Sequence, residues 1–256
     1  MVKKQTTRTI LAIAAMVGLS LAARASYIDE VMADSPWAYY RLGETSGSTA
    51  VDSSGNSRDA SYSNSPTLGT EGIPGASDDT AVGFNGSNEY ATFGGHTGGF
   101  GFTLEAWVKI EEAPGVIVSA VGYRRQGYDN RQHNIGVDSD GNALLLANDN
   151  SGGNKTLVSS SSIADGQWHH LVGVFTSSTS KSLYLDGSLV GTLTDNTGYN
   201  TYSLDVGRLN ANSGGKGFFP GVIDEVAVYS TTLNSNRIQA HYDVGSIVPE
   251  PASFDL

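Results

Sequence analysis

The sequence predicts an all-β fold: a two-sheet antiparallel sandwich with a short C-terminal helix. Three observations carry this expectation. The chain is rich in Gly, Ser, Asn and Thr, and its short apolar runs are separated by turn signals rather than by helical patterns. Phe102 to Ile110 alternates strictly, with Phe102, Leu104, Ala106, Val108 and Ile110 on one side and Thr103, Glu105, Trp107 and Lys109 on the other. Asp165 to Thr192 reads as two amphipathic strands with turns, and its Asp186-Gly187 dipeptide suits the two positive-φ positions of a type I′ hairpin.

Taken in order, Ser26 to Ala38 is a lead-in with a short helical turn, and Tyr39 to Leu42 is the first strand. Asp52 to Gly75 is a polar loop without a run long enough to reach a core. Ala81 to Phe84 leads through the Asn85-Gly86-Ser87 turn to a strand over Tyr90 to Phe93. After Phe102 to Ile110, whose second face is expected to meet ligand or solvent, the meander continues. Its strands are Val116 to Val121, Asn134 to Val137 and Ala143 to Ala147, the last two joined by a turn at Asp138 to Asn142. Trp168 to Phe175, Leu183 to Leu185 and Leu189 to Leu193 follow, then Ser203 to Gly207 and Val222 to Tyr229. Ser235 to Tyr242 is the closing helix. Asn234 can cap it, but Arg237 puts a cation near its positive end, so fraying is expected.

Several motifs in this order resemble the laminin G-like, concanavalin A-like lectin/glucanase jelly-roll domains. They are YYRLGE at Tyr39 to Glu44, DSSGN at Asp52 to Asn56, FNGS at Phe84 to Ser87, FTLEAWVK at Phe102 to Lys109, DGQWHHLV from Asp165, LYLDGSLVG from Leu183, and GVIDEVAVY at Gly221 to Tyr229. The resemblance implies a jelly-roll domain over residues 39–245, preceded by a lead-in at 26–38. It also implies a scaffold that mostly binds ligands. Relatives often end in Leu-Ser-x-x-Glu-Ile, where this chain has Leu233-Asn234-Ser235-Asn236-Arg237-Ile238 and so lacks the reciprocal capping-box bond.

Residues 1–25 have the layout of a signal peptide: Lys3, Lys4 and Arg8, an apolar stretch from Ile10 to Leu21, and a small-x-small site at Ala23-Arg24-Ala25. Export is therefore expected, and no span crosses a membrane in the mature chain. Of 15 basic residues, Lys3, Lys4, Arg8 and Arg24 leave with the leader, so 11 face 26 acidic ones. That excess repels phosphate backbones, which excludes nucleic acid as a partner and leaves neutral sugars and cations compatible. The absence of Cys rules out thiol catalysis, disulfides and zinc-thiolate sites. In the tail, 246–256, Val248-Pro249-Glu250-Pro251-Ala252 resembles the start of a PEP-CTERM sorting signal, cut short before its apolar helix.

No catalytic residues are expected. Glycoside hydrolysis needs two carboxylates about 5–5.5 Å apart for retention or about 6.5–9.5 Å for inversion. Glu105 is followed by Trp107 at the same-face position, and Asp224-Glu225, as strand neighbours, should point to opposite faces. The laminarinase-type Glu-x-Asp-x-x-Glu pattern is missing. His169-His170 cannot chelate one ion from opposite faces of a strand and is read as packing and hydrogen bonding. A structural Ca2+ is the expected cofactor: related jelly rolls bind calcium near the rim, which implies Asp52, Asn56 and Asp224 as metal ligands. Asp138-x-Asp140-x-Asn142 imitates an EF-hand but has its Gly at the wrong place, so a hairpin turn is the simpler reading. For a ligand face, Tyr123, Arg124, Arg125, Tyr128 and Arg131 form the expected contact loop, with Tyr199, Tyr202 and Phe218-Phe219 in others.

The expected function is an exported, non-catalytic binding or adhesion module with a polysaccharide or glycan as partner. A polysaccharide-degrading enzyme on the same sandwich, or a structural protein binding other matrix proteins, are the alternatives.

Overall fold

The computed structural model describes residues 26–76, 79–96, 99–124, 132–149, 153–194, 202–210 and 216–247. The expected leader, 1–25, and the tail from 248 onward, with its expected sorting motif, lie outside the described residues. Helix α1 (Tyr27–Ala33) is followed by β1 (Ala38–Tyr40), β2 (Thr49–Ala50), β3 (Ala60–Ser63), β4 (Thr67–Glu71) and a 3-10 turn at Pro74–Ala76. Next come β5 (Thr80–Asn85), β6 (Tyr90–His96), β7 (Phe102–Lys109), β8 (Val118–Arg124), β9 (Gln132–Val137), β10 (Asn142–Asp149) and β11 (Gly153–Ser162). The chain ends with β12 (Trp168–Ser177), β13 (Ser180–Leu185), β14 (Ser188–Leu193), β15 (Tyr202–Val206), β16 (Arg208–Asn210), β17 (Lys216–Phe218), β18 (Pro220–Tyr229) and α2 (Ser235–Gly245).

These strands form the expected antiparallel sandwich. The first sheet runs β14-β13-β12-β7-β18-β5-β4, with β1 also on β18; the second runs β11-β10-β9-β8-β15-β6-β3-β2, and β16 and β17 make a separate ribbon. Between the sheets, Phe102 stacks on Phe175 with centroids 4.6 Å apart, and Tyr123 meets Phe102 edge-on at 5.5 Å. Gly173 is needed here because a Cβ would come within 2.5 Å of Ile135 from the opposite sheet. The β13–β14 turn is the predicted one, with Asp186 at φ 50 and Gly187 at φ 75. The Asp138 turn is a hairpin, in which Asp138 Oδ1 accepts from the backbone N–H of Asp140 and Asn142, each at 2.9 Å.

The structure corrects three sequence expectations. Residues 52–75 are not a coreless loop: they contain β3 and β4, and Ala60, Tyr62 and Ile73 are buried. The second face of β7 meets neither ligand nor solvent. Helices α1 and α2 lie over it and close a second core of Tyr27, Val31, Tyr39, Trp107, Val172 and Ile238. Helix α2 is not frayed. Asn234 Oδ1 accepts from Asn236 N and Arg237 N at 3.0 and 3.1 Å, and Arg237 turns to α1, pairing with Glu30 at 2.6 Å and Asp34 at 2.8 Å. The cation that disfavours the helix end is thus a clamp between two helices. Among the described residues, no helix is long and apolar enough to cross a membrane.

Candidate functional site

Beneath the helices, the polar residues of the first sheet are committed to each other. Glu105 is fully buried and accepts hydrogen bonds from Tyr27 Oη (3.0 Å), Tyr229 Oη (2.9 Å), His170 Nε2 (2.7 Å) and His241 Nδ1 (3.0 Å). The other ring nitrogen of His241 faces Asp34 at 3.0 Å. A ring whose two nitrogens both face carboxylates must carry both protons. Burial opposes that charge, but Glu105 and Asp34 outweigh it and raise the His241 pKa. Burial likewise works against the Glu105 anion, yet His241 and His170 hold its carboxyl well below the ordinary range. His169 points away from this layer and bonds Asp186 through Nδ1 at 2.8 Å.

Asp224 and Glu225 do not point to opposite faces. Between Asp224 and Ala227 the register against β7 shifts, and Glu225 takes a φ of 49, so a bulge breaks the alternation. Both side chains enter the layer under the helices: Asp224 Oδ2 accepts from Ile73 N at 2.9 Å, and Glu225 Oε2 accepts from Tyr39 Oη. Burial, with Asp79 nearby, pushes Asp224 up to about 8; burial and Asp224 raise Glu225. Arg41 is the neighbouring cation, 2.6 Å from Asp79 and 3.7 Å from Glu225.

The expected calcium set is not assembled. Asp52 bridges Tyr40 on one edge of β1, whereas Val226 of β18 pairs with Tyr40 on the other, so β1 separates Asp52 from Asp224. The Asp52 carboxylate accepts from the backbone N–H of Tyr39 (3.0 Å), Ser54 (3.0 Å) and Arg58 (2.9 Å). Asn56 spends its amide N–H groups on Pro36 O and Trp37 O. Among the described residues, no group of three or more His, Asp or Glu is placed to hold a metal ion. The expected contact loop is corrected at Tyr123, which is 0% exposed and belongs to the core, out of reach of a ligand. Arg124 ends β8; Arg125, Tyr128, Arg131 and Tyr199 lie outside the described residues.

The outer face of the second sheet carries a polar array that sequence reading missed. Thr92, Asp205, Gly122 and Asn134 lie side by side across β6, β15, β8 and β9. Asp205 accepts from Thr92 Oγ1 at 2.7 Å and from Arg208 Nη2 at 2.9 Å on each oxygen. The Arg208 guanidinium lies 3.5 Å from the centroid of Tyr90, whose ring is 6.3 Å from that of Phe218. A hydrogen bond with Ser63, then the Arg208 cation, hold the Tyr90 phenol below its ordinary pKa. Asn134 Oδ1 accepts from Ser119 Oγ at 3.0 Å and sits over Gly122, where a Cβ would come within 1.7 Å of it. The signal was present: in Ser203-Leu204-Asp205-Val206, the apolar residues face the core, so Ser203 and Asp205 must face out. Arg124, Gln132, Asp149, Gly153 and Ser203 pair within one end of this sheet.

Residues 85–239 match a laminin G-type profile, that of the concanavalin A-like lectin/glucanases superfamily. The chain belongs to this superfamily. Solved structures with the superfamily's sandwich include the binding domain of botulinum neurotoxin serotype D, at 14% identity and a TM-score of 0.61, over 85% of this chain and 52% of that one. Domain 4 of AbnA, an extracellular arabinanase from Geobacillus stearothermophilus, in complex with arabinotriose, matches at 19% identity and a TM-score of 0.60. That match covers 81% of this chain and 97% of that one. Trypanosoma rangeli sialidase matches at 17% and 0.60, over 80% of this chain and 32% of its own. Likeness at these identities shows a shared fold. The chain spans about half the length of the neurotoxin binding domains it matches. No curated protein sequence matches it.

Proposed function

We propose that this domain is a non-catalytic carbohydrate-binding module that acts after export and holds polysaccharide at the cell surface or in an extracellular matrix. One observation carries the reading. Helices seal the outer face of the first sheet, while on the outer face of the second Thr92, Tyr90 and Phe218 stay half-buried, backed by the buried Asp205, Arg208 and Asn134. The C–H faces of a sugar suit the two aromatic rings, and its hydroxyls suit the hydroxyl groups beside them, which the buried polar layer holds in place. The arabinotriose complex of the arabinanase domain supports the ligand class, as does a similar structure from botulinum neurotoxin type C, whose cell entry depends on interaction with two ganglioside molecules. The buried carboxylates Glu105, Asp224 and Glu225 are occupied in the sheet–helix layer, which favours binding over hydrolysis.

A glycan array probed with the full chain, in calcium and in chelator, tests the reading. Retention of a polysaccharide class is expected, with affinity lowered up to about tenfold in Tyr90→Ala, the usual scale for losing an aromatic contact. Absence of retention on every glycan would overturn the proposal. Steady release of reducing ends from a retained polysaccharide would overturn its non-catalytic part.

A further inference from the structure

We infer that the pocket between the α1–β1 turn and the DSSGN loop is a second glycan site, selective for a sugar that carries a carboxylate. The pocket has a volume of about 370 Å3 and is bounded by Trp37, Arg58, Asn56, Ser54, Ser35 and Ser230. That volume lies within the roughly 300–1,000 Å3 of small-molecule sites. No acid lines it, although the chain has 26 acidic residues against 15 basic ones. Its one cation, Arg58, makes no ion pair among the described residues.

Arg58 is held for recognition. Its guanidinium carbon sits 4.3 Å from the Trp37 ring centroid, and one nitrogen donates to Trp37 O at 2.8 Å. A guanidinium held over an indole and tied by one nitrogen is restrained in place, and its remaining N–H groups suit a carboxylate taken bidentately. The acids nearest Arg58 in sequence, Asp59 and Asp52, both lie outside the lining: Asp59 accepts from Asp52 N at 2.9 Å, and Asp52 is occupied by three backbone N–H groups. Asn56 ties the walls together through Pro36 O and Trp37 O, and among the described residues its Oδ1 has no hydrogen-bond partner, which leaves an acceptor for a sugar hydroxyl. Two serines frame the pocket in the left-handed region, Ser35 at φ 51 and Ser57 at φ 58. Such conformations cost about 1 kcal/mol or more each and concentrate where geometry is functional.

The inference rests on the glycan-binding reading for its class of ligand, but it uses residues separate from the sheet face. Calorimetric titration of the full chain with trigalacturonate, its methyl ester and galactotriose tests it. Trigalacturonate is expected to bind, with the methyl ester and the neutral trisaccharide at least about tenfold weaker, as loss of a charge-assisted pair demands. Arg58→Gln should lose the same factor, while Lys155→Gln, which removes an exposed cation on β11, should leave trigalacturonate binding intact. The ester comparison needs no variant, so it stands even where Arg58→Gln misfolds. Equal affinity for acid and ester, or an unaffected Arg58→Gln, would overturn the acidic-sugar site while leaving the glycan-binding reading in place. Failure of every glycan on the array and in titration would overturn both.

Discussion

The carboxylate of Asp52 receives three backbone N–H groups, so its role is to shape the chain between β1 and the following loop. Burial opposes its charge, but a hydrogen bond from the Ser54 side chain, followed by these backbone bonds, outweighs burial and holds its pKa below the ordinary value. A depressed carboxylate stabilises the fold above its unfolded pKa, and the contribution is lost as pH falls through the folded one. Asp52→Ala leaves three donors short of an acceptor and should cost roughly 2–4 kcal/mol by thermal melting. The loss should be the same with calcium and with chelator. A wild-type melting temperature that responds to chelator while Asp52→Ala does not would restore Asp52 as a metal ligand. Sequence alone cannot separate the two roles, because a turn-forming Asp and a metal-binding Asp share the same Asp-Ser-Ser-Gly-Asn surroundings.

At the level of elements, the strands were legible wherever one side was polar. Phe102 to Ile110, Trp168 to Phe175 and the Asp186-Gly187 hairpin follow from alternation and turn chemistry, and the structure has them within a residue or two. Strand β11, GNKTLVSSSS, was missed because it is an edge strand, and an edge needs few apolar residues to be held. The helix-covered layer was illegible for a different reason: its core is built from Tyr, Trp and His, whose polar tips read as surface until Glu105 is seen to gather them. That acid joins β7 to α1 through Tyr27 and to α2 through His241, so the helices dock by hydrogen bonds as well as by packing. Glu105→Ala should therefore cost about 3–5 kcal/mol, the usual penalty for stranding a buried partner. Its unfolding in denaturant should expose helix α2 at lower concentrations than the β-sheet signal. A loss below about 1 kcal/mol would mean that packing alone holds the helices. The outer-face array was half legible: alternation aims Asp205 outward, but its meeting with Arg208 and Tyr90 needs the β6–β15 register, which no single strand encodes.

For the molecule as a whole, buried ionisable groups set an asymmetric pH profile. His133, sealed in the core, is pushed down to about 3 by burial and by Lys181, so stability is lost as pH falls from the unfolded histidine value near 6.5. Asp224, raised to about 8, has the opposite sign: its share is present below the unfolded carboxylate value and is lost as pH rises to about 8. The two slopes offset each other in mild acid, so the melting temperature should fall from about pH 6.5 to pH 8, with each proton contributing up to about 1.4 kcal/mol per pH unit. Glu225→Gln removes one acid of the coupled pair and should flatten that decline; an unchanged slope would place the responsible proton elsewhere. One edge of β18 carries a further consequence. Its first half pairs with β5, and its second half, beyond the bulge, takes β1, from the opposite end of the chain. The β1–β18 seam cannot form until β18 has been made, so productive folding waits on a late, non-local closure of the kind that makes β-sandwiches slow folders. Until that closure, the edge that β1 fills stands open to a stray strand, and haste in folding would be a hazard.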